Sequence, residues 1–544
     1  MARLQAARRI PLAISGAVRR FAEDPWRGRV ALERAVPGLR SAGPADGLAR
    51  RVDRAVAEDR LSEAEAALAL MPEGDPDRAS CAMSVARARG HLAEVVADPT
   101  PGRRAARVRA LARRQQSELG SPLPVWAAVK SPRPAVTQPG PARVLHVVTN
   151  SLPLTQAGST IRTQGIVSAQ RAAGWDARVV TRPGYPVTHG ALDAADVEWR
   201  DGVPYHRLLP TLMPSEADMA DCYRRTLTEF VRGWRPHLLH GASDHVNARA
   251  ALEVGRREGI PVAYEVRAFH EDTWSSRHGG DAARDTEVYR LLRDRHTEVM
   301  LAADLVTTLS EGMRAEIVSR GVDPDRVAVT PNAVPVDLLH GRRSAPEARA
   351  ALGLDEAFWA GTVATLHAAE GIDVLVMALA TLRARGIDAR GLVVGDGPVL
   401  ADLRALAAEQ GVPLVSPGRV PMAVARDYHD ALDVFVLPRT DTAVNREVTP
   451  LKPLEAQARG RPVIGSDLPA VAEVLVPGSP LVPAGDHEAL AEALAGLLDP
   501  EERQRLGDAG HAWVASCRTW PSVAAVYGAA YSSLGVPTAL GDAT

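Results

Sequence analysis

Apolar positions follow two different spacings along the chain, separated by a proline-rich break. Over residues 1–120 alanine, leucine and arginine dominate, and apolar residues recur every three or four positions, which predicts amphipathic helices. Segments 50–71 and 79–97 read as helical hairpins around Met71-Pro72 and Asp75-Pro76. Asp59-Arg-Leu-Ser-Glu-Ala64 loosely echoes Arg89-Gly-His-Leu-Ala-Glu94, a single weak repeat that leaves a tetratricopeptide-like interaction module open. Residues 121–142 hold six prolines, at 122, 124, 132, 134, 139 and 141, a composition that predicts an extended linker.

From Arg143 the spacing changes. Short β-rich runs at 144–148, 178–181, 238–240, 261–266, 305–307 and 327–329 alternate with helical stretches. The alternation restarts after residue 336, with runs at 361–363, 392–394, 413–415, 434–437 and 463–464. Strand alternating with helix predicts parallel sheets covered on both faces. The pattern therefore divides the chain into a helical extension (1–120), a linker (121–142) and two doubly wound α/β domains (143–335 and 336–515), followed by residues 516–544. Sheets of this kind bind ligands beyond the carboxyl ends of their strands, so the chemistry is expected in the loops that follow the runs.

Composition adds three points. The 46% apolar content supports large cores. Cys81, Cys222 and Cys517 have neither metal-ligand nor disulfide-framework spacing, which fits a reducing compartment. Residues 1–140 carry 24 basic and 15 acidic side chains, so a front end of charge +9 precedes a body of charge −11. Such a front end suits peripheral contact with an anionic membrane surface, although ordinary surface arginines on a soluble helical domain give the same count. The apolar stretch 10–18 runs into Arg19-Arg20 without a small-residue cleavage pattern and reads as uncleaved, and no apolar run reaches a membrane-spanning length. The expected location is cytoplasmic, at most peripheral at the inner face of the plasma membrane.

Only two lysines occur, Lys130 and Lys452, against 62 arginines. Lys452 lies in Arg446-Glu-Val-Thr-Pro-Leu-Lys-Pro-Leu-Glu455, just after the apolar run 434–437. Pro453 suits the first turn of a helix running from about Lys452 through Arg459. The backbone N–H groups of that turn and the Lys452 ammonium suit phosphate oxygens. Glu447 and Glu455 flank the anion site, and their carboxylates suit sugar or ribose hydroxyls.

Glu447-x7-Glu455 resembles the E-x7-E signature of glycosyltransferase family 4. Gly460-Arg-Pro-Val-Ile-Gly-Ser-Asp467, Glu473-Val-Leu, Val394-Gly-Asp-Gly-Pro398, Gly418-Arg-Val420 and Ala431-Leu-Asp-Val-Phe-Val-Leu-Pro-Arg439 match the family's pattern in its expected order, over about 143–535. The resemblance implies the GT-B fold, in which two Rossmann-like domains face each other across a cleft, with the donor nucleotide sugar on the second domain and the acceptor on the first. It implies that Trp520 to Leu534 forms a helix returning to the N-terminal half. Glu455 would hold the ribose hydroxyls and Glu447 those of the donor sugar. Thr449, Pro450 and Leu451, with Lys452, would hold the diphosphate and sugar. Gly395, Gly397 and Pro398 would form the nucleotide-side loop, with Arg419 and Val420 near the base.

One departure stands out. Family members often carry an Arg and a Lys that hold the diphosphate in a segment matching Ala364-Thr-Leu-His-Ala-Ala-Glu-Gly371, where this chain has Thr365 and Glu370. Arg439 and Arg446, on the loop that leads to Lys452, are the expected replacements. On the acceptor side, Gly158 would admit the donor phosphate at a helix start, although a plain turn glycine reads the same way. Arg267 falls where many members have His; a guanidinium cannot act as a base but can fix a phosphate or hydroxyl. His270 and Glu271 are the weaker acceptor-side candidates.

The family's front-face mechanism needs no glycosidase-like carboxylate pair, and no cluster of metal-ligand spacing is visible. The expectation is a retaining transferase that uses a nucleotide-diphosphate sugar and no metal or other cofactor. Its acceptor would be a glycan, a lipid-linked sugar or a small molecule, in cell-envelope or polysaccharide synthesis, and nucleic acid is not expected as a partner. Two rivals remain at this stage: a nucleotide-sugar epimerase of like fold, and a non-catalytic scaffold motivated by the helical extension and by Thr365 and Glu370.

Overall fold

The computed structural model describes residues 2–23, 29, 47–128 and 141–537. Most of the proline-rich linker, 129–140, and the end of the tail, 538–544, lie outside the described residues. The chain divides into two compact units: Met1–Thr307 with Ile317–Val327 and Ala530–Thr544, and Thr308–Glu316 with Ala328–Ala529.

In the helical region each expected hairpin segment is itself two helices. Leu48–Ala57 is followed by Leu61–Ala69, and Arg78–Ala88 by Leu92–Ala97. The breaks fall at Asp59 and Gly90, both in left-handed backbone, so the loose sequence echo marks two equivalent turns. A Cβ on Gly90 would lie 2.6 Å from Trp274 and 2.7 Å from Thr286, so the second turn must be glycine to sit against the α/β body. Val52, Ala64, Met71 and Cys81 form one core among the helices. Met83, Leu92, Val95 and Val108 form another, which takes in Val288 of the first α/β unit. Glu287 accepts hydrogen bonds from the Ala93 N–H (2.8 Å) and from Gln116 (2.7 Å). The extension is thus part of the first unit.

The first sheet comprises β1 (Arg143–Val148), β2 (Asp176–Thr181), β3 (Val197–Arg200), β4 (Val203–Arg207), β5 (Leu238–Ala242), β6 (Val262–Val266), β7 (Leu305–Thr308) and β8 (Val327–Val329), in the order β3-β4-β2-β1-β5-β6-β7-β8. β3 pairs antiparallel with β4. This hairpin was not among the expected strands, although its Asp201-Gly202 turn is a strong two-residue hairpin signal. β2, β1, β5 and β6 are parallel neighbours and read as continuous apolar runs because both faces are covered.

A charged network sits inside this sheet. Glu265 on β6, fully buried, receives Arg162 at 2.7 Å, Arg267 at 2.7 Å and His240 of β5 at 3.0 Å. Burial works to raise its carboxyl, but Arg267, Arg162 and His240 outweigh it and hold it well below the carboxylate range. The other nitrogen of His240 meets the Tyr531 hydroxyl at 2.5 Å, and the His146 ring lies 4.6 Å from the His240 ring.

The second sheet comprises β9 (Phe358–Val363), β10 (Ala389–Val394), β11 (Leu414–Gly418), β12 (Val434–Leu437), β13 (Val463–Ser466) and β14 (Leu481–Val482). All its ladders are parallel, in the order β11-β10-β9-β12-β13-β14. Counted from β9 this is the 3-2-1-4-5-6 order of a dinucleotide-type fold, whose strand order reverses between β9 and β12. Apolar clusters cover the sheet, one including Leu375, Leu379 and Leu490 and the other Trp359, Phe435 and Val471.

Burial, and next the neighbouring His240, push His146 down to about 3. A histidine whose folded value lies below its unfolded value of about 6.5 contributes stability that is complete above pH 6.5 and is lost as pH falls toward 3. The loss should reach about 3 kcal/mol at pH 4. Thermal unfolding of wild type and His146→Gln between pH 7 and 4 checks this. The wild type should lose stability more steeply than the variant, and parallel curves would rule out a titrating His146.

Candidate functional site

The reversal of strand order in the second unit brings the loops after β9 and β12 together, and hydrogen bonds to backbone carbonyls join them. Thr440 N–H donates to the Ala369 carbonyl at 3.1 Å, and the Asn445 amide donates to the carbonyls of Ala369 and Thr440, both at 2.9 Å. A Cβ on Gly371 would lie 2.0 Å from the Pro438 carbonyl oxygen. The loop after β10 joins them: Ala364 N–H bonds Val394 O and Leu366 N–H bonds Asp396 O. Gly395 and Gly397 are required for that approach, since side chains there would meet the Ala364 and Leu366 carbonyls at 1.7 and 2.0 Å. These two glycines, expected as part of a nucleotide-side loop, therefore serve first to lock one protein loop onto another. Pro398 and Arg419 are exposed on the same side, and Val420 packs against the core beneath.

The segment that follows β12 carries the charges. A short helix, Ala443–Glu447, ends at Glu447, and Thr449-Pro450-Leu451 leads into the helix Lys452–Ala458, with Pro453 in its first turn. Asn332 donates to the Thr449 carbonyl at 2.8 Å and to its hydroxyl at 3.2 Å, which fixes the strap between the two helices. Glu455 lies in the first turn, its carboxylate 3.7 Å from Nε2 of the buried His429, whose ring stacks on Phe435.

Glu370 occupies the centre. One of its carboxylate oxygens lies 3.3 Å from Arg439 and 3.6 Å from Lys452. Burial works to raise this carboxyl, but the Arg439 and Lys452 cations outweigh it and hold it below the ordinary value. Burial also lowers the Lys452 ammonium, against the opposing pull of Glu370. Of the two arginines expected to make up for Thr365 and Glu370, Arg439 is bound to Glu370 itself and donates to the Val448 carbonyl at 3.1 Å. Arg446 is exposed and paired with Asp441. The structure thus gathers Glu447, Thr449, Pro450, Leu451, Lys452, Glu455 and Arg439 on one edge of the second sheet and directs Arg446 to an aspartate beside it. Such an arrangement holds an anion by cations and hydroxyls by carboxylates.

In the first unit Gly158 opens the helix Gly158–Ala172, in an exposed position after β1. Arg267 is nearly buried and donates to Ser159 O (2.7 Å), Thr163 Oγ1 (2.8 Å) and Glu265, so it anchors the start of that helix. Glu271 is fully buried between Arg320 (2.6 Å) and His296 (3.0 Å), which hold its carboxyl far below the usual range against its burial. Both side chains expected to face a ligand are thus bound by protein groups. His270 differs: its Nε2 has no protein partner, and burial lowers the ring. Nearby, Ser243 and Asp244 after β5 both have positive φ. Asp244 caps the helix His245–Glu258 and pairs with Arg182. The sequence signal for that strained turn is Ser243-Asp244 just beyond an apolar run.

Comparisons with known proteins bear on the family and the fold. The profile described as "Glycosyl transferase 4-like domain" matches residues 157–333, and "Glycosyl transferases group 1" matches 357–500, together more than half of the chain. A GDP-mannose-dependent alpha-(1-6)-phosphatidylinositol monomannoside mannosyltransferase of Mycolicibacterium smegmatis is 28% identical over 353 residues, covering 62% of this chain and 85% of that protein. Among solved structures, sucrose-phosphate synthase from Thermosynechococcus elongatus superposes with a TM-score of 0.57 at 20% identity, over 72% of this chain and 99% of that one. Anabaena HepE in complex with UDP gives 0.56 at 16% identity, over 72% and 100%. At these identities the structural likeness establishes the fold, which is GT-B.

The Glu370 clamp makes a prediction opposite in sign for two neighbours. Glu370→Gln should tighten binding of a nucleoside diphosphate roughly tenfold, the effect of one unit charge in a partly screened site. Lys452→Ala should weaken it roughly tenfold to a hundredfold. Titration calorimetry reads both, and weaker binding to Glu370→Gln would mean that the carboxylate does not compete with phosphate.

Proposed function

Because the chain belongs to the family 4 type of glycosyltransferases, we propose that it is a retaining, metal-independent transferase moving a hexose from a nucleotide-diphosphate donor to an acceptor hydroxyl in cell-envelope glycan synthesis. The observation that carries this reading is the pairing of Glu447 and Glu455 on either side of Lys452, with Arg439 beside them, at the strand-order reversal of the second sheet. The donor diphosphate lies against Lys452 and Arg439, in place of their contact with Glu370. Glu455 accepts hydrogen bonds from the ribose and Glu447 from the sugar, while Thr449, Pro450 and Leu451 line the path between them. The acceptor oxygen attacks the anomeric carbon on the face from which the diphosphate departs, and the departing phosphate oxygen takes the acceptor proton. The protein supplies position and charge rather than a base, consistent with Arg267, which cannot be one. His270 is the acceptor-side group with a nitrogen to offer. GDP-mannose, the donor named for the mycobacterial relative, is the first donor to try, with UDP-sugars second because HepE is solved with UDP.

One observation favours a second reading, a non-catalytic scaffold: Glu370 already neutralises part of the charge that a donor needs. The same experiment separates the two. A panel of GDP-, UDP- and ADP-sugars titrated into wild type and Glu455→Ala should show one donor bound and weakened at least about tenfold by the substitution. Glu447→Ala should lower kcat more than donor affinity, and NMR of the product should show a retained anomeric configuration. A folded wild type that binds none of the panel would favour the scaffold.

A further inference from the structure

The N-terminal helix Ala2–Glu23 lies outside both family matches, and its two faces are unlike. One face is pinned to the first unit. Leu12 is buried, and Gly16 packs flush against Met213 and Thr188. Ser15 Oγ accepts from the Met213 N–H at 2.9 Å, Arg19 donates to the Pro214 carbonyl at 3.1 Å, and Arg9 pairs with Asp196. The opposite face carries Ile10, Ile14 and Val18, which are 45%, 56% and 61% exposed. Their spacing of four places them on one side of the helix, as a ridge about 12 Å long. Leu212, in the segment that packs on this helix, is 58% exposed.

Charge decides what covers this ridge. The helix has five arginines and one glutamate in its 22 residues, and residues 1–140 together carry +9. An apolar ridge on a basic helix, turned outward by its anchored face, matches a helix lying in the plane of a lipid interface, where the net positive charge of the segment favours anionic headgroups. No helix among the described residues is long and apolar enough to cross a membrane, so the contact would be from one side. We propose that this ridge docks the enzyme on an anionic lipid surface, with Ile10, Ile14 and Val18 inserted at the headgroup–acyl boundary. This inference is independent of the donor-site reading.

The test is co-flotation of the full chain with phosphatidylcholine vesicles containing or lacking 30 mol% phosphatidylglycerol, at low and high salt. Wild type should float with the anionic vesicles only, less so in high salt. The double substitution Ile14→Glu with Val18→Glu should lower the partition coefficient at least about tenfold. Its melting temperature should stay at the wild-type value, because neither side chain is part of the buried face. Absence of flotation, or flotation unchanged by the substitutions, would overturn the proposal. So would concentration-dependent dimerisation that the substitutions abolish, which would assign the ridge to a second copy of the chain. Nucleotide-sugar calorimetry on the same samples reports on the donor site separately, so either reading can fail alone.

Discussion

Glu265 is a carboxylate with no exposure to water, and the first unit is organised around keeping it charged. An ion in such a place needs cations and hydrogen bonds on every side. Each group that supplies them belongs to a different element. Arg162 comes from the second turn of the helix after β1, Arg267 from just beyond β6, and His240 from β5. His240 in turn holds the Tyr531 hydroxyl. The exposed helix start at Gly158 is thereby fixed from below, since Arg267 also grips Ser159 and Thr163.

The second unit answers the same constraint with pairs. Arg459 holds Asp430, Arg349 holds Asp433, and both pairs are buried. Glu370 with Arg439 and Lys452 is a partly exposed version at the ligand edge. At Glu370 two cations share one carboxylate where the fold brings its loops together.

How much of this was legible in the sequence depended on the range of the interaction. Apolar runs and the alternation of strand and helix depend on neighbours a few residues apart, and they placed the two sheets. The helix start at Lys452 is local as well and could be read from Pro453. The hairpin β3–β4 was missed because Val197–Arg200 is a half-exposed edge strand without an apolar run. Arg267, Glu271 and Arg439 bind Thr163, Arg320 and Glu370 across 104, 49 and 69 residues of sequence, and no spacing rule reaches that far. Glu370 could be recognised as a departure from the family pattern, but its grip on Lys452 could not.

The glycines at 371, 395 and 397 have a consequence for how this site can change over time. Because their backbones touch neighbouring carbonyls, the three loops cannot shift separately; they form a single rigid rim made of main chain. The side chains of Asp396 and Pro398 on it, and of Arg419 on the loop after β11, are exposed. Substitution there changes what the rim presents while the rim keeps its shape. The surface chemistry of this edge is thus mutable, whereas its main-chain outline is not.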